Sequence, residues 1–200
     1  MIVEQSKQII AEVNKAFMGK KEITEKVLMT IYAGGHVLLE DCPGVGKTTL
    51  AVALSKALGF SSKRIQFTPD TLPSDITGFT MFNRETNRFE YRNGAADCQF
   101  LLADEINRTS PKTQSALLEI MEEHKITVDG KTHDLPAPFI CIATQNPLGS
   151  AGTQPLPESQ LDRFMVCLSI GYPTLENQIK IINSQRYSNP LLDINAVTDA

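Results

Sequence analysis

The stretch Val37 to Thr49, VLLEDCPGVGKTT, runs a short apolar strand into a glycine-rich turn and then into a helical pattern. A strand, tight turn and helix in that order define a βα unit whose turn opens at the carboxyl end of the strand, the edge where open α/β sheets bind ligands. Gly44 and Gly46 let the backbone fold tightly, so the N–H groups of Val45 to Thr48 converge on one concavity suited to phosphate oxygens. The start of the helix adds its positive dipole end. Lys47 is placed to reach the β and γ phosphates and the Thr48 hydroxyl to ligate Mg²⁺, with Pro43 and Thr49 flanking the same loop. The strict pattern GxxxxGK[ST] fails at its first position, where Asp41 replaces glycine. The bland alternative is a glycine turn that merely caps a helix, and the strand and helix on either side argue against it.

Five short apolar runs recur along the chain: His36 to Glu40, Arg64 to Phe67, Phe100 to Asp104, Phe139 to Thr144 and Met165 to Ile170. Being continuous rather than alternating, they suggest strands covered on both faces, as in a parallel sheet. Helical patterns lie between them. Thr48 to Leu58 carries Leu50, Leu54 and Leu58 on one face, with Gly59 as a stop. Ser110-Pro111 starts a helix whose face is Leu117, Ile120 and Met121, ending near Glu123. Thr174 caps another, with Leu175, Ile179 and Ile182 expected inside.

The alternation implies βαβ crossovers and an α/β sandwich. Two segments depart from it. Thr68 to Gly94 is polar, carries Pro69, Pro73 and Gly78 with short extended pieces, and reads as an insertion. Lys125 to Leu135 holds Asp129-Gly130 between β-prone flanks, a hairpin signal because that dipeptide tolerates the positive φ of a type I′ turn. With 200 residues, 42% of them hydrophobic, the chain has material for one domain, or one and a fragment.

A triphosphate also needs a metal carboxylate and a group that activates the nucleophile. Asp104 and Glu105 end the apolar run FLLADE, so Asp104 is expected in the Mg²⁺ shell and Glu105 to polarise the attacking water. On its own such a pair is a solvated strand end; downstream of a phosphate loop it acquires this second meaning. Asn146, in ATQNP, ends the next run and can orient the same water, although Asn-Pro is also a plain turn initiator. Arg163, in PESQLDRF, would by itself be a surface salt-bridge arginine.

Composition narrows the remaining classes. Lys plus Arg number 19 against 23 Asp plus Glu, a formal charge of -4, which argues against a broad nucleic-acid footprint. Cys42, Cys98, Cys141 and Cys167 form no CxxC pair and read as reduced, mostly buried small hydrophobes; His36, His124 and His133 show no metal-binding spacing. No segment is apolar enough to span a membrane and the N-terminus is too charged for a signal-peptide core, so a cytoplasmic setting is expected. A guanine-specific reading fails, because the DxxG at Asp75 follows no apolar strand and Asn14-Lys15 precedes the loop and lacks the following Asp. A DNA motor fits poorly too, since the hairpin sets Lys125 and Lys131 against Asp129 and Asp134.

Taken together, EDCPGVGKTT, RIQFTPDTLPSDITG, LLADEINR, ATQNP and LPESQLDRF resemble the MoxR family of AAA+ ATPases, over about Phe17 to Pro173. The resemblance implies a P-loop NTPase three-layer sandwich on a five-stranded parallel sheet, with Thr68 to Gly94 as the family's helix-2 insert and Lys125 to Leu135 as the hairpin before sensor 1. Gly44, Gly46, Lys47 and Thr48 resemble Walker A, Asp104 and Glu105 Walker B, Asn146 sensor 1, and Arg163 an arginine finger reaching a neighbouring subunit. Phe17, Met18 and Gly19 resemble the segment lining the adenine pocket.

Implied with these are ATP and Mg²⁺ as cofactors and a homo-oligomeric, usually hexameric, ring that remodels protein clients. A partner with a von Willebrand factor A domain is implied as well. The family's sensor 2 lid has no counterpart here, so residues 1–172 are expected to form the nucleotide-binding core and 173–200 the start of a truncated helical lid. The competing function is a nucleotide-dependent assembly switch with little hydrolysis, motivated by Asp41 and the absent lid.

Overall fold

The computed structural model describes residues 2–42, 44–146, 156–187 and 189–198. Helices α1 (Ile2–Ala16) and α2 (Lys21–Tyr32) precede β1 (Val37–Glu40), α3 (Lys47–Ala57) and β2 (Ser62–Gln66). The insertion follows as α4 (Pro73–Thr77), β3 (Gly78–Asn83) and β4 (Arg88–Asn93); then come β5 (Phe100–Asp104) and α5 (Pro111–Glu123). A second hairpin, β6 (Lys125–Val128) and β7 (Lys131–Asp134), leads to β8 (Ile140–Gln145), α6 (Glu158–Leu161), β9 (Val166–Leu168) and α7 (Leu175–Tyr187).

The main sheet is five-stranded, in the order β2-β5-β8-β1-β9, and every pairing in it is parallel. The three inner strands explain their own continuous hydrophobicity. Val37, Leu39, Phe100, Leu102, Ile140 and Ile142 face one apolar layer, built with α1, α2 and α3. The residues between them, Leu38, Leu101, Ala103, Cys141 and Ala143, face a second layer, built with α5 and the insertion. A period of two with both faces apolar is what a strand needs when helices cover it above and below. Full burial of each leucine contributes about 1.5–3 kcal/mol, and Leu38, Leu39, Leu50, Leu54 and Leu101 all reach it. The outer strands differ. β2 is an exposed edge whose apolar anchor, the fully buried Phe67, lies just beyond it.

Local signals set most element ends. Ser110 Oγ accepts the Thr113 N–H at 3.3 Å and Pro111 opens α5, whose Leu117, Ile120 and Met121 are buried. Asp129 (φ 50°) and Gly130 (φ 75°) both adopt the left-handed backbone of a type I′ turn. The two hairpins touch through Tyr91 and His133, whose rings stack with centroids 4.0 Å apart and planes 12° from parallel.

Three expectations change. Helices α1 and α2 occupy a segment for which the sequence patterns give no element, and they pack Ile9, Val13, Val27 and Leu28 into the first layer. The α7 face expected inside is outside: Leu175, Ile179 and Ile182 are 74%, 52% and 66% exposed. The chain returns to the core through Ile194 instead, and Val197 N–H donates to the Ala57 carbonyl at 2.8 Å. Of the cysteines, Cys98 and Cys141 are buried, whereas Cys42 is half-buried and Cys167, on the edge strand β9, is exposed.

Candidate functional site

The carboxyl ends of β1, β5 and β8 open into a cleft of about 310 Å³. The loop after β1 enters it through Gly44 (φ 85°) and Gly46 (φ 97°), and Gly46 hands over directly to the first turn of α3. Any side chain at either glycine would be strained. Gly44, Gly46, Lys47, Thr48 and Thr49 line the cleft, while Val45 is buried beside it and Pro43 lies outside the described residues. Lys47 Nζ donates to the carbonyl oxygens of Asp41 and Cys42, the latter at 3.1 Å. Burial holds its pKa below the ordinary lysine range, against the pull of Asp41 and Asp104.

Asp41, the departure from the strict loop pattern, is built into the structure. Its Oδ1 accepts the Cys42 N–H at 2.8 Å, and Oδ2 accepts the Ser169 hydroxyl at 2.9 Å and the Gly171 N–H at 2.5 Å. Burial raises its pKa, but these bonds to the ionised form outweigh it and hold the carboxyl below the usual carboxylate range.

Across the cleft, Asp104 is buried and fully engaged. Oδ1 accepts the Thr144 hydroxyl at 3.0 Å; Oδ2 accepts the Thr48 hydroxyl at 3.3 Å and Arg64 Nε at 2.8 Å. Thr144 also accepts the Glu105 N–H at 2.9 Å, which pins Glu105 in a left-handed backbone (φ 57°) at the strand end. The Glu105 carboxylate receives Arg108 at 2.8 Å. Asn146 reaches the same cleft, where its buried Oδ1 has no hydrogen-bond partner among the described residues. An orphaned acceptor there is costly unless a water or ligand meets it.

The cleft therefore gathers Lys47, Thr48, Asp104, Glu105 and Asn146, along with Arg64, Gln66 and Thr144, which sequence patterns did not single out. The glycine cradle, the lysine, and the hydroxyl–carboxylate pair fit a nucleotide phosphate chain with a hard cation. A smaller cavity of about 130 Å³ adjoins it, walled by Phe17, Met18, Val45, Pro173 and Ile181, with the apolar character a planar base requires. Gly19 is not one of its walls; it sits against Asn177 of α7. Arg163 lies apart from both. It pairs with Glu122 at 2.8 Å, donates to the Ser159 carbonyl at 2.8 Å, and lines a separate cavity with Glu119 and Glu123.

Comparison with known proteins adds independent findings. Residues 36–166 match the model of a family described as the ATPase family associated with various cellular activities (AAA). The chain is 53% identical, over 91% of its length, to the uncharacterized protein YeaC of Bacillus subtilis (strain 168), of which it covers 57%. It is 42% identical, over 90% of its length, to chaperone MoxR1 of Mycobacterium tuberculosis, of which it covers 48%. A crystal structure from Cytophaga hutchinsonii, described as a candidate ATPase, matches it with a TM-score of 0.86 at 38% identity, covering 99% of this chain and 62% of that one. The chain thus spans about half the length of the curated relatives it matches.

Proposed function

This chain belongs to the MoxR family of AAA+ ATPases, and from that premise we propose that it binds ATP with Mg²⁺ in the cleft and hydrolyses it to remodel protein clients. The observation that carries the reading is the meeting of the Thr48 hydroxyl and the Asp104 carboxylate, 3.3 Å apart, at the mouth of the glycine loop. Mg²⁺ held by that pair supplies neutralisation of charge on the phosphate oxygens.

The protein groups do the rest. N–H groups from Val45 to Thr48 and the Lys47 ammonium orient the phosphates, and the adjoining apolar cavity at Phe17 and Met18 takes the base. Glu105 polarises the attacking water, and the Asn146 amide oxygen, unpaired among the described residues, fixes that water's direction. Because Arg163 stands outside the cleft of its own chain, it acts on the γ-phosphate of a neighbouring copy in a ring, hexameric by family analogy. An arginine supplied in trans is worth about 10³–10⁵ in rate. Residues from 173 onward begin a helical lid, and the insertion and second hairpin, clasped by Tyr91 and His133, form the part that moves against a client. A von Willebrand factor A domain partner and a cytoplasmic setting complete the proposal; among the described residues no helix is long and apolar enough to cross a membrane.

One observation favours the alternative, an assembly switch with little hydrolysis: Arg108 occupies the carboxylate of Glu105 at 2.8 Å. Nucleotide-binding titrations of the parent and Lys47→Ala test the site. Phosphate release by the parent and Glu105→Gln then separates the readings. A large fall supports hydrolysis, and an already negligible, unchanged rate supports the switch.

A further inference from the structure

Asp104 already carries a cation. Arg64 Nε donates to Oδ2 at 2.8 Å, and this is the oxygen that also accepts the Thr48 hydroxyl. Arg64 stands on the neighbouring strand β2, paired with Leu102 across β5, and its side chain reaches over the cleft with 51% exposure. Only Nε is engaged. Its two terminal nitrogens have no hydrogen-bond partner among the described residues, yet Arg64 lines the cleft together with Lys47 and Thr48. One part of the guanidinium therefore rests on the carboxylate, while its remaining donors sit in a space shaped for phosphate.

Mg²⁺ and the guanidinium compete for that oxygen, which also accepts the Thr48 hydroxyl. Mg²⁺ demands a near-octahedral oxygen shell at about 2.0–2.1 Å, and a guanidinium on the same atom would oppose it by like-charge repulsion in a partly buried site. Direct coordination of the metal by Oδ2 therefore favours departure of Arg64 from it. The charge-assisted hydrogen bond it gives up is regained only if another anion lies within its reach, and an arginine fork suits phosphate oxygens particularly well.

Resting on the ATP–Mg²⁺ reading above, we propose that Arg64 is a positioning residue that exchanges partners. It holds Asp104 through Nε and moves to the terminal phosphate when a Mg²⁺-triphosphate enters. ADP, one phosphoryl group shorter, offers no anion at that place, so displacing Arg64 goes uncompensated. The arginine thereby makes the metal corner selective for the triphosphate.

The test is binding, with no turnover needed. Mg²⁺ is titrated at fixed ADP, and separately at fixed ATPγS, against the parent, Arg64→Met and Arg64→Lys, with a fluorescent nucleotide reporting occupancy. Arg64→Met is expected to lower the Mg²⁺ concentration for half-saturation with ADP by a factor of about three to ten, the range for one charge-assisted bond at a half-exposed site. It also reduces the preference for ATPγS over ADP by a similar factor. Arg64→Lys keeps the charge without the fork and falls between, and it decides the matter alone if the methionine variant does not fold. An unchanged or raised Mg²⁺ requirement, or equal weakening of both nucleotides, overturns the proposal and leaves Arg64 a structural strut. A parent that binds neither nucleotide, or binds both without regard to Mg²⁺, overturns the ATP–Mg²⁺ reading itself.

Discussion

The Asp41 carboxylate accepts the Gly171 N–H at 2.5 Å, so the entrance of the glycine loop is tied to the chain leaving β9. The neighbouring Ser169 hydroxyl shares the same oxygen, and the Asp41 carbonyl receives Lys47. Glycine, the residue the strict loop pattern prefers, would remove all of the side-chain bonds. Asp41→Gly is therefore expected to destabilise by about 1–2 kcal/mol, the worth of hydrogen bonds to a charged group discounted for partial exposure. Thermal unfolding and nucleotide titration check this, with Asp41→Asn retaining part of both. A glycine variant as stable as the parent refutes it. Because the folded pKa lies below the ordinary 3.8, the contribution is present above that pH and is lost as pH falls through the lower folded value.

His36 predicts a second pH window. It is buried, its Nδ1 accepts the Cys141 N–H at 3.0 Å, and its Nε2 lies 3.0 Å from the Met121 carbonyl, an arrangement only the neutral Nε2–H tautomer satisfies. Burial pushes its pKa below the ordinary 6.5. The unfolded chain therefore takes up the proton first. Stability is fully present above 6.5 and declines as pH falls from there toward the folded value. Urea midpoints of the parent should drop between pH 7.5 and 5.5, and His36→Gln should flatten that interval while costing about 1–3 kcal/mol at neutral pH. Equal slopes in parent and variant would remove His36 as the cause.

The reversed face of α7 makes a stability contrast. Ile179 and Ile182 are exposed, whereas Ile194 closes the layer over α1 and α3 at 8% exposure. Ile179→Glu with Ile182→Glu should leave the unfolding free energy within about 0.5 kcal/mol, and Ile194→Ala should cost about 2–4 kcal/mol. The opposite ranking in denaturant melts would restore the face the spacing suggests.

That contrast shows what kind of information the sequence carries. Asp129-Gly130, Ser110-Pro111 and the glycines at 44 and 46 act on their own backbone, so the turns and helix starts they specify are legible locally. The three inner strands are legible because both of their faces are apolar. What depends on neighbours in space is not. The α7 stripe has helical spacing without a partner to cover it, and α1 hides Ile9 and Val13 in a segment whose charges mask them. In the site, Lys47 and Thr48 follow from a contiguous motif. Arg64 and Thr144 reach Asp104 only because the strand order places β2 and β8 on either side of β5, and no local pattern encodes that order.

The stack of Tyr91 on His133 predicts that the insertion and the second hairpin behave as one unit. A double-mutant cycle with Tyr91→Ala and His133→Ala should give a coupling of about 0.5–1.5 kcal/mol, the range for an aromatic pair. Additive losses would mean that the hairpins merely lie side by side. Tyr91 also donates to the Thr77 carbonyl, so Tyr91→Phe is the control that removes this bond and keeps the ring.

Arg163 is held by Glu122 and the Ser159 carbonyl of its own chain, both at 2.8 Å, and contributes nothing to the wall of its own nucleotide site. If it completes a neighbour's site, Arg163→Ala and Lys47→Ala are defective in different halves of one interface. Each alone should lose about 10³-fold or more in phosphate release. Mixed, they should recover activity, because a Lys47→Ala subunit still offers its arginine to an Arg163→Ala subunit with an intact phosphate loop. Specific activity of the parent should rise steeply with protein concentration for the same reason. The Glu122 pair, largely exposed at 58%, is weak enough to yield to a phosphate, so Glu122→Gln should shift the concentration dependence little. Mixtures no more active than their parts, with a parent rate independent of concentration, would place the arginine's role within its own subunit.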